Sequence, residues 1–85
     1  MARIRVEDHR VVLAPGQAPQ IELIVGRVVA GRCRFMADAR GERATMDVQT
    51  GYVELTYDLG DYDRVLGLLQ SRRPVWVGEE LRLEG

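Results

Sequence analysis

The sequence predicts an α+β domain built of antiparallel strands and one late helix, on three observations. Across residues 32–57, apolar and polar side chains alternate with the period of two that a half-buried strand requires. Residues 61–73 repeat apolar side chains at helical spacing, and a strand-like run, 75–77, follows them. We therefore expect about five to seven strands in a sheet or a small, partly closed barrel, with the helix covering one sheet face or plugging the barrel.

Length and composition indicate one globular domain, residues 1–85. A chain of 85 residues buries enough surface for one modest core and no second domain. With 46% hydrophobic and 29% charged residues, it lies outside the composition range of disordered chains. No apolar run approaches the roughly 20 residues of a membrane span, and the first residues are not followed by a signal-like apolar segment. We expect a cytoplasmic, soluble protein that does not contact a membrane.

The first residues predict a strand pair. Residues 3–7 alternate cleanly, and a turn at 8–9 returns the chain into a second strand, 10–14. The loop 15–19 then interrupts the pattern, because its prolines cannot donate to a strand ladder.

The segment 20–29 is apolar in both strand phases. Its apolar side chains form two sets, Ile21, Leu23 and Val25 in one phase and Ile24 and Val28 in the other. A strand of this kind is typically covered on both faces. Its connection to the next strand is open between a bend at 26–27 and a link through 30–31.

Strands 32–38, 43–49 and 52–57 are predicted to form an antiparallel meander, with turns at 39–42 and 50–51. In this register apolar side chains oppose apolar ones, and opposite charges oppose each other. A slip of one residue would bury charges, so the facing of each strand is strongly specified. The predicted inner pairs are Cys33–Val48, Phe35–Met46 and Ala37–Ala44, continued on the third strand by Val53, Leu55 and Tyr57. The predicted outer pairs are Arg34–Asp47, Asp38–Arg43 and Thr45–Thr56.

The helix prediction, 61–73, depends on an apolar stripe and on charges near its ends. Aspartates lie near its start and two arginines near its end, which complements the helix dipole, and Pro74 prevents continuation. A closing strand, 75–77, bends at Gly78 and resumes with Leu81 and Leu83. The apolar stripe consists of Tyr62, Val65, Leu66 and Leu69.

Residue types suited to catalysis are scarce, with a single His, a single Cys and a single Ser. Cys33 alternates into the apolar face, where burial raises a thiol pKa and weakens the nucleophile. His9, beside Glu7 and Asp8, has no second His or further Cys to complete a transition-metal site. The aspartates of 58–63 lack the glycine and distal Glu of a calcium loop. We predict no catalytic residue, no metal, no cofactor and no enzymatic activity.

An arginine-rich strand pair, residues 27–43, is the candidate nucleic-acid site. The formal net charge of −1 gives no global attraction to phosphate, so any basic surface is local. The predicted register neutralises part of it, because two of its arginines face aspartates. Tyr52 is the one aromatic residue predicted on that face, whereas single-strand binders place several aromatics among their basic residues. The candidate residues are Arg27, Arg32, Arg34, Arg40 and Arg43.

Four large apolar side chains fall outside the predicted core and form the candidate partner-binding set. Ile24, Val28 and Met36 lie on the charged side of their strands, and Trp76 is out of phase with its two valine neighbours. Large apolar groups outside a core mark partner surfaces, although closure into a barrel would bury some of them. We predict a small non-enzymatic binding or assembly module that acts through protein–protein contacts with a protein partner or as a homo-oligomer. A nucleic-acid-binding accessory protein is the alternative.

Overall fold

A computed structural model gives the fold of residues 4–37, 43–71, 74–78 and 83–84. The strands in these ranges are β1 (Ile4–Val6), β2 (Asp8–Val12), β3 (Gln20–Val25), β4 (Val28–Met36), β5 (Arg43–Met46), β6 (Val53–Asp58), β7 (Val75–Val77) and β8 (Leu83–Glu84). The helix α1 is Tyr62–Gln70, and a single 3₁₀ turn, Leu59–Asp61, leads into it.

The strands are arranged in two sheets. The larger sheet has the order β2-β3-β4-β6-β5, and the smaller one has the order β1-β7-β8. Neighbours are antiparallel except β4 and β6, which run parallel. The prediction of a strand-rich α+β domain with one late helix before a closing strand is confirmed. The barrel is not formed, because the larger sheet of the described residues ends at β2 and at β5 and is open.

The core lies on one face of the larger sheet, which we call the inner face. Helix α1 and the smaller sheet cover this face with buried side chains such as Val65, Leu69 and Val77. Phe35 links the layers, because its ring stacks on Tyr57 at 6.0 Å between centroids and meets the edge of Tyr62 at 5.1 Å. The buried inner-face residues of the larger sheet are Ile21, Leu23, Cys33, Phe35, Val53, Leu55 and Tyr57.

The predicted meander is wrong in its pairing, because β6 lies between β4 and β5. Cys33 is opposite Leu55 and Phe35 is opposite Tyr57 across the parallel β4–β6 pair. The pairs predicted between 32–38 and 43–49 therefore do not form. Alternation fixes which side of each strand is buried but not which strand is its neighbour, and β5 and β6 each have an apolar face. Asp38 lies outside the described residues.

The predicted hairpin between β5 and β6 forms with its register displaced by two residues. Ala44 pairs with Leu55 and Met46 with Val53. The strand stops at Met46 because the Asp47 carboxylate accepts hydrogen bonds from the backbone N–H groups of residues 49 and 50, at 2.8 and 3.2 Å. The connection is thus a longer loop than the predicted turn at 50–51. A displacement of two residues keeps each side chain on its predicted face, and Cys33, Phe35 and the β6 residues are buried as predicted. Ala37, Met46 and Val48, also predicted inside, are exposed.

The first residues differ from the predicted strand pair. Only Glu7 separates β1 from β2, and the chain passes from the smaller sheet to the larger one there instead of turning back at 8–9. The apolar segment 20–29 bends at 26–27, where Gly26 has a φ of 63° that favours glycine. This segment was predicted to be covered on both faces. Its inner face is buried, whereas Glu22 on the outer face is partly accessible to solvent.

Helix α1 carries the predicted apolar stripe over a shorter range than 61–73. Val65 and Leu69 are buried, and Tyr62 and Leu66 pack against the core. The chain leaves the helix at Ser71, whose hydroxyl donates to the Leu68 carbonyl at 2.7 Å. Residues 72–73 lie outside the described residues. Among the helices that the structure describes, none has the length and apolar character needed to cross a membrane.

Candidate functional site

The outer face of the larger sheet carries a row of side chains that alternate in charge across the strands. Ladder partners follow one another from β2 to β5 in a single line: Arg10, Glu22, Arg32, Glu54 and Thr45. Arg10 forms an ion pair with Glu22, and Arg32 forms one with Glu54. We call this line the ionic row. Its charges are matched along the sheet, so it presents little net charge to solvent.

Glu54 is the centre of the ionic row and holds two arginines. Its carboxylate oxygens accept hydrogen bonds from Arg34 at 2.9 Å and from Arg32 at 3.0 Å. The hydrogen bond from Arg34, with that from Arg32, holds the pKa of Glu54 below its ordinary value. Gln20 extends the cluster, because its side-chain oxygen lies 3.4 Å from an Arg32 nitrogen. The two central arginines of the predicted basic patch are therefore already engaged.

The predicted arginine patch is dispersed by the fold. Arg27 is exposed in the β3–β4 turn, and Arg43 is exposed on the edge strand β5. The predicted pair between Arg34 and Asp47 is wrong, because β6 supplies Glu54 as the partner in place of β5. Arg40 lies outside the described residues. The patch is thus partly neutralised, as predicted, but by Glu54 and not by Asp47.

Tyr52 is the aromatic residue predicted beside these arginines, and it is half-buried immediately before β6. Burial raises its pKa, which the nearby positive charge of Arg32 opposes. A half-buried ring next to an engaged arginine offers little open face for a stacked base.

The four predicted partner-binding residues do not form one surface. Val28 and Met36 are exposed at opposite ends of β4. Ile24 is half-buried, and a register shift after Leu23 places it opposite Val29, so that it does not share a face with Val28. Trp76 is half-buried at the centre of β7 between two buried valines, which confirms that it is out of phase with them.

Exposed apolar side chains instead gather at the margins of the larger sheet. Val48, predicted to lie inside, is 94% exposed just beyond β5, next to the exposed Met46. At the other end of the sheet, where β2, β4 and β6 finish, Leu13 is 75% exposed. The exposed residues of that second group are Val12, Leu13, Met36 and Leu59. Of these residues the sequence pattern predicted only Met36 to lie outside the core, because alternation describes strand interiors and not strand ends.

The backbone of β5 has one side bonded to β6 and one open side among the described residues. The Asp47 N–H donates to the Tyr52 carbonyl at 2.9 Å, which places the backbone groups of Asp47 on the β6 side. Because N–H and C=O directions alternate along a strand, those of Arg43 and Thr45 also face β6, and those of Ala44 and Met46 face outward. We call this outward side the β5 edge. It presents donors and acceptors that another strand can pair with.

A polar cleft of about 690 Å³ separates the β1–β2 junction from the end of α1. His9 lines it and is half-buried instead of solvated in a turn. No group of His, Cys, Asp and Glu in the described ranges is arranged to hold a metal ion. Its other lining residues include Arg5, Glu7, Asp8, Gln70 and Ser71.

Cys33 is fully buried in the core, as its alternation predicts. Burial raises the pKa of its thiol to about 12, which leaves it protonated at neutral pH. Because the thiolate is the reactive form, this cysteine is unsuited to nucleophilic or redox chemistry.

The chain matches no known family model, and neither curated proteins nor solved structures include one that is similar to it.

Proposed function

We propose that this chain is a small, non-enzymatic binding or assembly module that acts through protein–protein contacts and self-associates. The observation that carries this proposal is the grouping of exposed apolar side chains at the margins of the larger sheet. Grouped apolar groups on a small domain mark contact surfaces, whereas single ones are ordinary. Val48 and Met46 lie beside the open β5 edge, so apolar contact and backbone pairing are available in one place.

The engagement of the central arginines makes protein contacts a better proposal than nucleic-acid binding. Phosphate binding requires cations that can exchange their counterions for a nucleic-acid backbone. Arg32 and Arg34 would first have to lose their ion pairs with Glu54. Arg27, before β4, and Arg43, at the start of β5, lie at opposite ends of the larger sheet. The buried, protonated thiol of Cys33 likewise supports a binding role over a catalytic one.

Sedimentation velocity of the full chain, from micromolar to near-millimolar concentration, tests the proposal. We expect the mean mass to rise with concentration towards twice that of one chain. The rise should persist at high salt, because apolar contact and backbone pairing are screened less than exposed charges. A strict monomer over the whole range would contradict self-association. A mobility shift with single-stranded or double-stranded nucleic acid that disappears at high salt would favour the alternative.

A further inference from the structure

We propose that a second copy of this chain docks on the β5 edge, with the two β5 strands antiparallel about a two-fold axis at Thr45. This inference rests on the proposed self-association and names its surface. The two larger sheets would then join through their β5 strands into one continuous sheet. Two-fold pairing of this kind uses the same patch on both copies, so it closes at a dimer.

The outward backbone groups of β5 fit this pairing. Ala44 and Met46 each direct one N–H and one C=O to the open side, because the Asp47 to Tyr52 hydrogen bond fixes the alternation. With Thr45 on the axis, Ala44 of one copy is opposite Met46 of the other. Each of the two residues then donates one hydrogen bond and accepts one. If the two β5 strands were displaced by two residues in either direction, either Ala44 or Met46 would lie opposite a residue outside the four-residue strand.

The side chains of the same register are complementary. On the outer face, Arg43 of each copy is opposite Asp47 of the other, which places opposite charges together on both sides of the axis. Thr45 meets Thr45 between these pairs. On the inner face, Ala44 meets Met46, a small side chain beside a large one. The Asp47 carboxylate can serve both its loop and this arginine, because an ionised carboxylate accepts several hydrogen bonds.

The opposite edge of the larger sheet fits a second copy less well. The middle residue of β2 is Arg10, so symmetric pairing about it would bring two arginines together. Arg10 is also bonded to Glu22, and β2 continues almost directly into β1 of the smaller sheet. A partner strand would therefore have only a short stretch of β2 to follow.

A cysteine substitution at the axis tests the register. Thr45→Cys places two thiols in a directly opposite, non-hydrogen-bonded pair, where Cβ atoms approach within reach of a disulfide. Mild oxidation at high concentration should convert most of the variant into a covalent dimer. Val12→Cys, at the end of β2, is the matched control and should remain largely monomeric on gels without reductant. Cys33 does not interfere, because it is fully buried.

Removing an outward donor tests the backbone pairing. Met46→Pro deletes the outward N–H and leaves the inward groups of Arg43 and Thr45 in place, and proline is tolerated on an edge strand. Met46→Ala is the matched control, because it loses the same side chain and keeps the N–H. By symmetry two hydrogen bonds are lost, so Met46→Pro should raise the dimer dissociation constant about 30-fold above that of Met46→Ala.

The outcomes separate this inference from the proposed function. Cross-linking of Thr45→Cys with a much weaker Met46→Pro dimer supports the β5 edge. If the wild type dimerises but Val12→Cys cross-links in place of Thr45→Cys, the β5 edge is overturned and self-association stands. The same holds if Met46→Pro and Met46→Ala dimerise equally. If Met46→Pro does not fold, the cysteine pair decides alone. A wild-type chain that stays monomeric overturns both.

Discussion

Two parts of the larger sheet, only one strand apart, present opposite kinds of surface. On the outer face of β4 and β6, Arg32 and Arg34 are held by Glu54, so the charges satisfy one another. On β5, Ala44 and Met46 direct backbone groups outward, and just beyond this strand Val48 is almost fully exposed to solvent. The most highly charged region of the sheet is therefore engaged in its own ion pairs, whereas the proposed docking surface lies where backbone donors and acceptors face outward.

The largest expected effect on stability is that of a substitution at Gly31, where β4 and β6 lie close together. A Cβ added at Gly31 would lie 2.4 Å from the Val53 carbonyl oxygen, so β4 and β6 would have to move apart. We expect Gly31→Ala to lower the free energy of unfolding by about 3 kcal/mol, measured by urea denaturation. Gly67→Ala is the matched control, since nothing lies near its added Cβ, and it should raise stability by about 0.5–1 kcal/mol. Equal effects of the two substitutions would contradict the close approach of β4 and β6 at Gly31.

A smaller effect is expected from removing the charge at the centre of the ionic row. Glu54→Gln leaves Arg32 and Arg34 as neighbouring like charges, and should cost about 1 kcal/mol at neutral pH. Glu22→Gln, which removes only the partner of the exposed Arg10, should cost less. If both variants are as stable as the wild type, the ionic row does not stabilise the sheet.

The contribution of Glu54 to the free energy of unfolding should depend on pH. The folded-state pKa of Glu54 lies below the ordinary value of 4.5. Its contribution is therefore fully present above about pH 4.5, and it is lost as the pH falls through the lower folded-state value. The stability difference between wild type and Glu54→Gln should accordingly shrink in acid. A difference that grows below pH 4.5 would have the wrong sign for a carboxylate held by arginines.

Val48→Ala should have the smallest effect on the isolated chain. Its side chain is 94% exposed, so we expect a change below about 0.5 kcal/mol in thermal unfolding of the monomer. Val53→Ala is the matched control on the inner face and should cost about 2 kcal/mol. A large loss for Val48→Ala would restore the predicted position of this residue inside the meander.

The sequence predicts which side of each strand is buried better than it predicts which strands are neighbours. Alternation correctly predicted that Cys33, Phe35 and Leu55 are buried, because a period of two leaves no other choice once one face of a strand is apolar. Alternation does not predict the order of the strands in the sheet. A parallel β4–β6 pair and a meander bury the same side chains, so periodicity does not distinguish them.

The candidate site could be predicted only in part, for related reasons. Neutralisation of Arg34 was predicted from a register that placed Asp47 opposite it, whereas its actual partner, Glu54, depends on the strand order. Val48 was placed inside by extending the alternation past Asp47, whose side chain ends the strand. The open side of β5 is a property of backbone direction, which side-chain patterns do not encode.

Amide hydrogen exchange along β5, followed by NMR at low and high protein concentration, tests most directly whether this edge is where two copies meet. The N–H groups of Arg43 and Thr45 face β6 and should be protected at every concentration. Those of Ala44 and Met46 should exchange rapidly in dilute solution and become protected as the concentration rises. Rapid exchange of Ala44 and Met46 at all concentrations, in a sample whose mass shows a dimer, would rule out pairing through the β5 edge.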